Sequence, residues 1–445
     1  MMRQVSTTFR SRRNGTARRC SSRLMLSVVA TCVVALVAGA ATLSASSSKV
    51  IPASPLSVAL KYTGGKKGAA NPKAAPVVIG FVVDEAPATT HPGNIPAARA
   101  AVALINQNLG GIRGRPLKLA LCSVKQSEAD GATCALEMIN NRAVNVVVAS
   151  ELKTGEASFI ATMAGTKPVL GVFTNGPGLR AKNTFYTNGA VQAQLAAVAY
   201  IAKVLGAGSV SILGPDIPGV STALGRFATL FGAHKVTSKV VLYPASATDL
   251  VAPIAASGAQ NSDAILVVAS TQANCVAIGK AFAQMGIDRQ RPVVTPTPAC
   301  LDLPVKESLG DNPKWHYVFT TSNPLAPYRR ATAVAAYVEA TKAYGNTDLL
   351  VNGYAPQTFG AILTIAKWLN ELGPAKATSE AIAQKLASFT GPMFMGDPKI
   401  KFGQDPFPTI GSVRALIYEY LGNGRFFGTT KGRWLCPPNV PNCTE

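Results

Sequence analysis

The sequence predicts an α/β protein of two lobes, each built on a parallel β-sheet. From Pro76 onward, short apolar runs alternate with segments of helical periodicity, which is the pattern of consecutive βαβ units. More than a dozen such segments occur, which is more than one sheet holds comfortably. The chain has 445 residues, 48% of them hydrophobic, and this is enough for two cores. A single core stops growing at roughly 250–300 residues.

Each predicted strand before Asn323 is a short apolar run. The first, Val77–Val83, is nearly continuous in apolar residues, as expected of a parallel strand buried on both faces. The others lie at Leu117–Cys122, Val144–Ala149, Val169–Phe173, Val210–Leu213, Val240–Tyr243, Ile265–Val268, Val293–Thr295 and Tyr317–Thr320.

The helices are predicted from their apolar spacing. Pro96–Asn108 places Ala97, Ala101, Leu104 and Ile105 on one face. Further helices are predicted at Ala129–Asn140, Ser158–Ala164 and Val191–Leu205, and after Asn323 at Ala331–Tyr344, Thr358–Leu372 and Ser379–Phe389, with late strands at Ile400–Phe402 and Val413–Tyr420.

Residues 1–45 have the three parts of an export signal. Seven arginines and no acidic residue precede an uncharged apolar run from Leu24 to Ala41, and Ala38-Gly39-Ala40 has the small-x-small form of a cleavage site. A helix takes ~17–25 residues to span a bilayer, so an uncleaved membrane anchor is the alternative. Residues 46–75 are rich in small residues, Pro, Gly and Lys, and predict a flexible linker.

The charge of the chain does not indicate a nucleic-acid partner. The formal net charge is +21, and removing the seven arginines of the export signal leaves +14. The basic residues are scattered, without stripes or interleaved aromatic residues. This distribution is typical of a solvated basic surface on an exported protein.

Cysteine usage agrees with export. Six cysteines follow the signal, and an even number in an oxidising compartment favours disulfides. Six cysteines allow fifteen connectivities. Sequence neighbours form the natural pairs, while a zinc site is disfavoured because no Cys-x-x-Cys spacing occurs. The pairs are Cys122–Cys134, Cys275–Cys300 and Cys436–Cys443, the last in a C-terminal tail at 431–445.

The most specific segment runs from Leu104 to Leu119. A helix ends at Gly110-Gly111, where positive φ costs little, and a turn around Gly114 leads into the next strand. This Asn-then-Gly-Gly-Ile-x-Gly phrase resembles the periplasmic binding proteins of the leucine/isoleucine/valine-binding type.

Further segments extend the resemblance in the same order along the chain. It covers about Pro76 to Phe427, and the position of Cys122 and Cys134 is similar to a disulfide common in the family. The other matching segments are Val144–Ser150, Lys167–Leu170, Thr184–Asn188, Val210–Asp216 and Gln284–Ile287.

The resemblance implies a type I periplasmic binding fold, with two doubly wound lobes joined by three crossovers. Lobe one is expected at 76–190 and 323–394, and lobe two at 191–322 and 395–430. The implied function is capture of a small polar ligand, a branched-chain amino acid or a related compound, by hinge closure. The implied partner is an ABC permease in the membrane, with the binding protein itself a monomer.

Open α/β sheets bind ligands beyond the carboxyl ends of their strands. Carried onto this sequence, the resemblance places lobe-one contacts in the loop Ser150–Gly155 and after the fourth strand. Lobe two is expected to contribute around Asp216–Gly219 and Thr271–Asn274. The ligand-binding residues predicted in this way are Ser150, Glu151, Thr154, Thr174, Asn175, Asp216, Thr271 and Asn274.

The sequence departs from amino-acid binders of this type at three points. The stretch Ser270–Asn274 carries no acid, Pro218 stands where an aromatic residue is expected, and Asn188–Val191 also lacks an acid. An unpaired ammonium in a closed cleft costs several kcal/mol. Either Glu151 or Asp216 supplies the missing charge, or the ligand is not a standard amino acid.

No catalytic or metal-binding pattern stands out. His91, His234 and His316 are far apart in sequence, and structural or surface roles are expected for them. No metal-ligand spacing, phosphate loop or Gly-x-Ser-x-Gly elbow occurs, so neither a cofactor nor a catalytic residue is predicted. The alternative functions are a ligand-sensing receptor with the same cleft and an exported α/β enzyme.

Overall fold

The computed structural model describes most of the chain after residue 50. It describes residues 51–443 apart from 87–90, 126, 175, 190–193, 270, 288–291, 296, 311–314, 321–331, 346–353, 423–424, 430–432, 439 and 441–442. The predicted export signal at 1–45 lies outside the described residues.

A five-stranded sheet is formed by the first strands of the chain. Its order is β2-β1-β3-β4-β5, and every neighbouring pair is parallel. The first, third and fourth of these strands are mostly buried because their runs are largely apolar, as predicted. The five strands are β1 (Val77–Asp84), β2 (Leu117–Val124), β3 (Val144–Ala149), β4 (Val169–Thr174) and β5 (Thr184–Gly189).

A seven-stranded sheet follows, in the order β14-β13-β10-β9-β8-β6-β7. The pairs from β7 to β10 are parallel, and β13 and β14 add antiparallel strands at one edge. The strands are β6 (Ser209–Pro215), β7 (Thr237–Tyr243), β8 (Ala264–Val267), β9 (Val293–Thr295), β10 (Tyr317–Thr320), β13 (Leu416–Gly422) and β14 (Arg425–Gly428), while β11 (Thr390–Gly391) and β12 (Ile400–Lys401) form a small separate pair.

Helices connect the strands and cover both faces of each sheet. The main helices are α1 (Ala53–Thr63), α2 (Asn94–Asn108), α3 (Glu128–Asn140), α4 (Glu156–Met163), α5 (Ala196–Ala199), α6 (Pro218–Ala233), α7 (Val251–Ser257), α8 (Gln272–Gln284), α9 (Leu303–Leu309), α10 (Ala333–Tyr344), α11 (Ala355–Leu372) and α12 (Ser379–Ala387). Each sheet lies between two buried apolar clusters, so the α/β fold class predicted from the sequence is confirmed.

Two glycines show why small residues are needed at particular positions. A side-chain carbon at Gly80 of β1 would lie 2.6 Å from the Met138 sulfur, so α3 packs close to the sheet only over glycine. Gly111 has φ +66°, and a side-chain carbon there would lie 2.2 Å from the Arg115 carbonyl oxygen. The turn after α2 therefore requires the glycine that the sequence places there.

The prediction of a flexible linker at 46–75 is wrong for the described residues 51–75. Helix α1 packs against α10 and α11, and Leu56 and Ala59 are buried in their shared apolar cluster. The following segment pairs with the end of α2, where Lys66 N donates to Leu109 O at 3.0 Å. The average composition of the segment conceals one apolar helix face, and burial of that face orders the chain.

Tyr62 fixes the end of α1 to a distant part of the chain. Its hydroxyl lies 2.8 Å from Thr364 Oγ1, and Phe394 N donates to it at 3.1 Å. The Tyr62 and Phe394 rings are 5.0 Å apart. Burial raises the pKa of Tyr62 to about 12, so the hydroxyl keeps its proton at neutral pH.

The second predicted boundary of lobe two also needs correction. The sequence assigned residues 395–430 to lobe two, but Ile400 and Phe402 belong to an apolar cluster of the five-stranded sheet. Farther along, Gly411 N donates to Tyr186 O at 2.8 Å, so the chain still runs beside β5 there. It reaches the seven-stranded sheet only at β13.

The predicted helix Val191–Leu205 is less regular than expected. The described α-helical part is Ala196–Ala199, and a π-helical turn, Tyr200–Val204, follows. Residues 190–193, which include the predicted start, lie outside the described residues.

We expect Leu56→Ala to lower the free energy of unfolding by about 2–4 kcal/mol, because the side chain fills a packed core. Ser57→Ala, on the exposed face of the same helix, is the matched control and should stay within about 0.5 kcal/mol of wild type. Chemical denaturation measures both variants. Equal stability of Leu56→Ala and wild type would restore the linker interpretation.

Candidate ligand-binding site

The strand order of each sheet determines where a crevice opens. In the five-stranded sheet β1 lies between β2 and β3. The chain after β1 leads to β2 on one side, and the chain after β3 leads to β4 on the other side. The loops that follow β1 and β3 therefore diverge. The parallel part of the seven-stranded sheet repeats this order, and its loops diverge after β6 and β8. Such topological switch points are where open α/β sheets bind ligands.

Asp84, at the end of β1, fixes the loop that follows β3. Its Oδ2 accepts hydrogen bonds from the backbone N–H of Lys153 at 3.1 Å and of Thr154 at 2.9 Å. Its Oδ1 accepts another from Ala86 N at 2.9 Å. The loop 150–155 therefore has a defined conformation at the switch point, and this rigidity allows its side chains to be positioned.

A buried charged cluster occupies the switch point of the five-stranded sheet. His91, from the loop after β1, places Nε2 2.7 Å from Glu151 Oε2, which follows β3. Lys153 Nζ lies 3.6 Å from the same oxygen and 3.4 Å from His91 Nε2. His91 and Glu151 are 3% and 2% exposed, so these charges are largely removed from water.

The cluster extends to the seven-stranded sheet through Asp302. This carboxylate follows β9, is fully buried, and places Oδ2 3.5 Å from His91 Nδ1. Gln272, the first residue of α8 after β8, donates to the same oxygen at 2.7 Å. Side chains from the carboxyl ends of both sheets thus meet in one place.

A disulfide holds the Asp302 segment. Cys275 of α8 is bonded to Cys300, two residues before Asp302. The covalent link keeps Gln272 and Asp302 on neighbouring segments. The structure also contains the bonds Cys122–Cys134 and Cys436–Cys443, so the six cysteines pair as sequence neighbours.

Aromatic rings line the cluster on the side of α11. The Tyr354 ring lies 4.7 Å from the His91 ring in an edge-to-face arrangement and 5.0 Å from the Phe173 ring. Burial raises the pKa of Tyr354 well above its ordinary value, with the charges of Glu151 and Asp302 adding to the effect. The Tyr354 side chain therefore stays uncharged at neutral pH beside the charged cluster.

The pKa values of His91 and Glu151 shift in favour of their charged forms. Burial and the nearby Lys153 lower the pKa of His91, but interactions with Asp302 and Glu151 outweigh them and raise it above 6.5. Burial opposes ionisation of Glu151, but Lys153 and His91 outweigh it and lower the pKa of this carboxyl below 4.5. These two shifts favour a charged imidazolium beside an ionised Glu151.

The predicted lobe-one residues occupy three different surroundings. Ser150 and Glu151 are buried at the end of β3, and Glu151 belongs to the charged cluster. Thr154 is held through its backbone by Asp84. Thr174 donates from Oγ1 to Glu156 Oε1 at 2.5 Å, and Tyr186 donates to the same oxygen. Asn175 lies outside the described residues.

The predicted lobe-two residues follow β6 and β8, at the switch point of the second sheet. Asp216 is exposed, and its Oδ1 accepts a hydrogen bond from Ser221. Thr271 caps α8 by accepting from Asn274 N at 3.1 Å. The buried Asn274 donates to Ala245 O at 2.9 Å. None of the described contacts brings these three residues to the charged cluster.

Sequence reasoning missed His91, Asp302 and Tyr354 as members of the cluster. A structural or surface role was expected for His91, and Asp302 was not singled out. These residues are separated by up to 263 positions and share no motif with a short sequence spacing, so only the order of the strands brings them together.

Among the described residues, no group of three or more His, Cys, Asp or Glu side chains is arranged to hold a metal ion. None of the helices in the described part of the chain is long and apolar enough to cross a bilayer.

The sequence model of the periplasmic binding protein family matches residues 76–408. The chain belongs to this family. The match begins at the residue before β1, so α1 of this periplasmic binding protein lies outside the matched range. No curated protein matches the chain.

Solved structures with the same fold include solute-binding proteins of ABC transporters. The leucine-binding protein LivK of Thermotoga maritima is 14% identical, with a TM-score of 0.64 over 81% of this chain and 100% of that one. The branched-chain amino acid binding protein LivJ of Streptococcus pneumoniae, in complex with isoleucine, is 19% identical, with a TM-score of 0.65 over 79% and 98%.

A third structure holds a different kind of ligand. A solute-binding protein of R. palustris, in complex with 4-hydroxybenzoate, is 15% identical, with a TM-score of 0.64 over 79% of this chain and 95% of that one. These likenesses confirm the type I fold predicted from the sequence.

We expect Asp84→Ala to lower the free energy of unfolding by about 2–4 kcal/mol, because three backbone donors lose their acceptor. Hydrogen exchange should become faster at the Lys153 and Thr154 amides, and mass spectrometry of peptides measures it. Glu307→Ala, at an exposed position, is the control. Unchanged exchange at both amides would contradict the role of Asp84 in the loop.

Proposed function

We propose that this periplasmic binding protein captures a small polar ligand between two lobes and delivers it to an ABC importer in the membrane. Each lobe contains one of the two sheets, and the chain connections between the sheets act as the hinge. The ligand is a branched-chain amino acid or a related compound, and the protein works outside the cytoplasm as a monomer.

The observation that carries this proposal is the meeting of side chains from the carboxyl ends of both sheets. His91 and Glu151 belong to loops of the first sheet, and Asp302 and Gln272 to segments that follow strands of the second. A ligand held at this place touches both lobes and favours their closure. Family membership supports the same interpretation, since its members bind solutes.

The charges of the cluster indicate what the ligand presents. Asp302 Oδ1 is buried and has no hydrogen-bond partner among the described residues. A buried acceptor of this kind favours a donor, and an ammonium or hydroxyl group of the ligand supplies one. Asp302 thus provides the acid that the sequence lacks at Ser270–Asn274.

The ligand's remaining polar groups meet the loops around the cluster. Backbone N–H groups and hydroxyls at the ends of strands are the usual partners for a carboxylate in such a crevice. The proposed contacts are Ser150, Glu151, Thr154, Thr174, Asn175, Asp216, Thr271 and Asn274, together with His91 and Asp302.

Binding is tested with native mass spectrometry of the purified protein and a thermal-shift panel of leucine, isoleucine, 4-hydroxybenzoate and small amides. A ligand that binds only the folded form stabilises it by about 2.7 kcal/mol at a hundredfold excess over Kd. We expect Glu151→Gln to lose most of this stabilisation, because the neutral amide no longer balances His91 and Lys153.

Glu137→Gln, an exposed acid on α3 of the same lobe, is the matched control and should respond like wild type. A full ligand response from Glu151→Gln would show that the site lies elsewhere. No stabilisation by any compound, with no ligand found by mass spectrometry, would count against solute capture.

Delivery is tested separately, by uptake of the radiolabelled ligand into cells that lack this chain. We expect wild type to restore uptake and Glu151→Gln to restore much less, because an importer receives ligand only from a loaded binding protein. Uptake that is unaffected by loss of the chain would favour a sensing role with the same cleft.

A further inference from the structure

The His91 imidazole lies between carboxylates that belong to different sheets. Its Nε2 is 2.7 Å from Glu151 Oε2, and its Nδ1 is 3.5 Å from Asp302 Oδ2. All three side chains are at most 3% exposed. The ring therefore connects the loop after β1 to the segment after β9.

Bridging two carboxylates requires both ring nitrogens to carry protons. A neutral imidazole has one N–H donor and one lone pair, whereas the imidazolium has two donors. If His91 is neutral, one carboxylate oxygen faces a lone pair instead of a proton. Only the protonated ring attracts Glu151 and Asp302 at the same time.

The formal charges of the groups that face His91 favour the protonated ring in sum, although Lys153, whose Nζ lies 3.4 Å from Nε2, by itself opposes protonation. Two acids, Glu151 and Asp302, and one amine, Lys153, surround the ring, and the hydroxyl of Tyr354 is neutral. Tyr337, whose pKa is also raised, faces Asp302 and is neutral too. The imidazolium makes the cluster neutral overall, while a neutral ring leaves one uncompensated buried negative charge, which is costly.

We propose that protonated His91 is a latch between the lobes, so that closure of the cleft depends on pH. This inference rests on the proposed function, in which the two sheet-bearing lobes move as hinged bodies. Opening separates His91 and Glu151 on one lobe from Asp302 and Gln272 on the other. Without the contact to Asp302, the pKa of His91 is lower, and the ring loses its proton more readily.

The direction of the pH dependence follows from the pKa of His91. Interactions with Asp302 and Glu151, which prevail over burial and Lys153, raise this pKa above 6.5 in the closed arrangement. The latch is therefore complete below the pKa that His91 has in the open arrangement and is lost as the pH rises through its raised pKa in the closed one. As the pH rises across this range, the ratio of closed to open molecules falls by a factor of about ten for each unit by which closure raises the pKa of His91.

Small-angle X-ray scattering of the ligand-free protein at pH 5.5 and 8.5 tests the latch. We expect the radius of gyration of wild type to increase at pH 8.5. His91→Gln should show the same radius at both pH values, because the amide does not titrate. His234→Gln, at the end of α6, is the matched control and should retain the change of wild type.

Asp302→Asn provides a second variant if His91→Gln does not fold, and circular dichroism at both pH values checks folding. Its radius should stay large at both pH values, since the carboxylate that His91 reaches across the cleft is gone. A radius of wild type that is equal at both pH values overturns the latch. A pH-dependent change that persists in His91→Gln overturns it as well.

The thermal-shift panel separates this result from the proposed function. If a compound stabilises the protein but the radius does not change with pH, the latch is wrong and solute capture stands. If the radius changes with pH through His91 but no compound binds, the latch stands and solute capture fails.

Discussion

The parallel pairing of the strands is the constraint on which the site depends. In both sheets the second strand is added on one side of the first strand and the later strands are added on the other side. The loops on either side of this switch point diverge. Polar side chains there avoid burial inside the sheet and still lie close to one another. Two such crevices, one for each sheet, supply His91, Glu151, Gln272 and Asp302.

Burying charges at this place is tolerable only because they compensate one another. Burying an isolated carboxylate inside a protein costs several kcal/mol of free energy. Removing one partner of a buried ion pair is unfavourable for the same reason, because the other charge is left uncompensated. Glu151 is compensated by Lys153 and His91, while Asp302 interacts with His91 and Gln272. Under the proposed function, a ligand that enters the cleft has to preserve this balance.

The supporting structure is built to hold these few groups. The Asp84 carboxylate orders the loop 150–155 through its backbone, and the disulfide Cys275–Cys300 keeps the Asp302 segment beside α8. Helix α1 adds an apolar layer over α10 and α11, ahead of the part of the chain that matches the family. Loops positioned in this way by rigid elements are typical places for binding residues.

The sequence by itself determined most of the strands, the α/β class and the family resemblance, since apolar periodicity and the Gly110-Gly111 turn are local properties. It also placed Glu151 in the loop after the third strand, because that strand is a recognisable apolar run. Only the tertiary structure decided that residues 51–75 are packed rather than flexible, and that His91 and Asp302 meet. Both outcomes depend on contacts between segments far apart in the chain, and the hydrophobic and electrostatic gains of such contacts leave no spacing in the sequence.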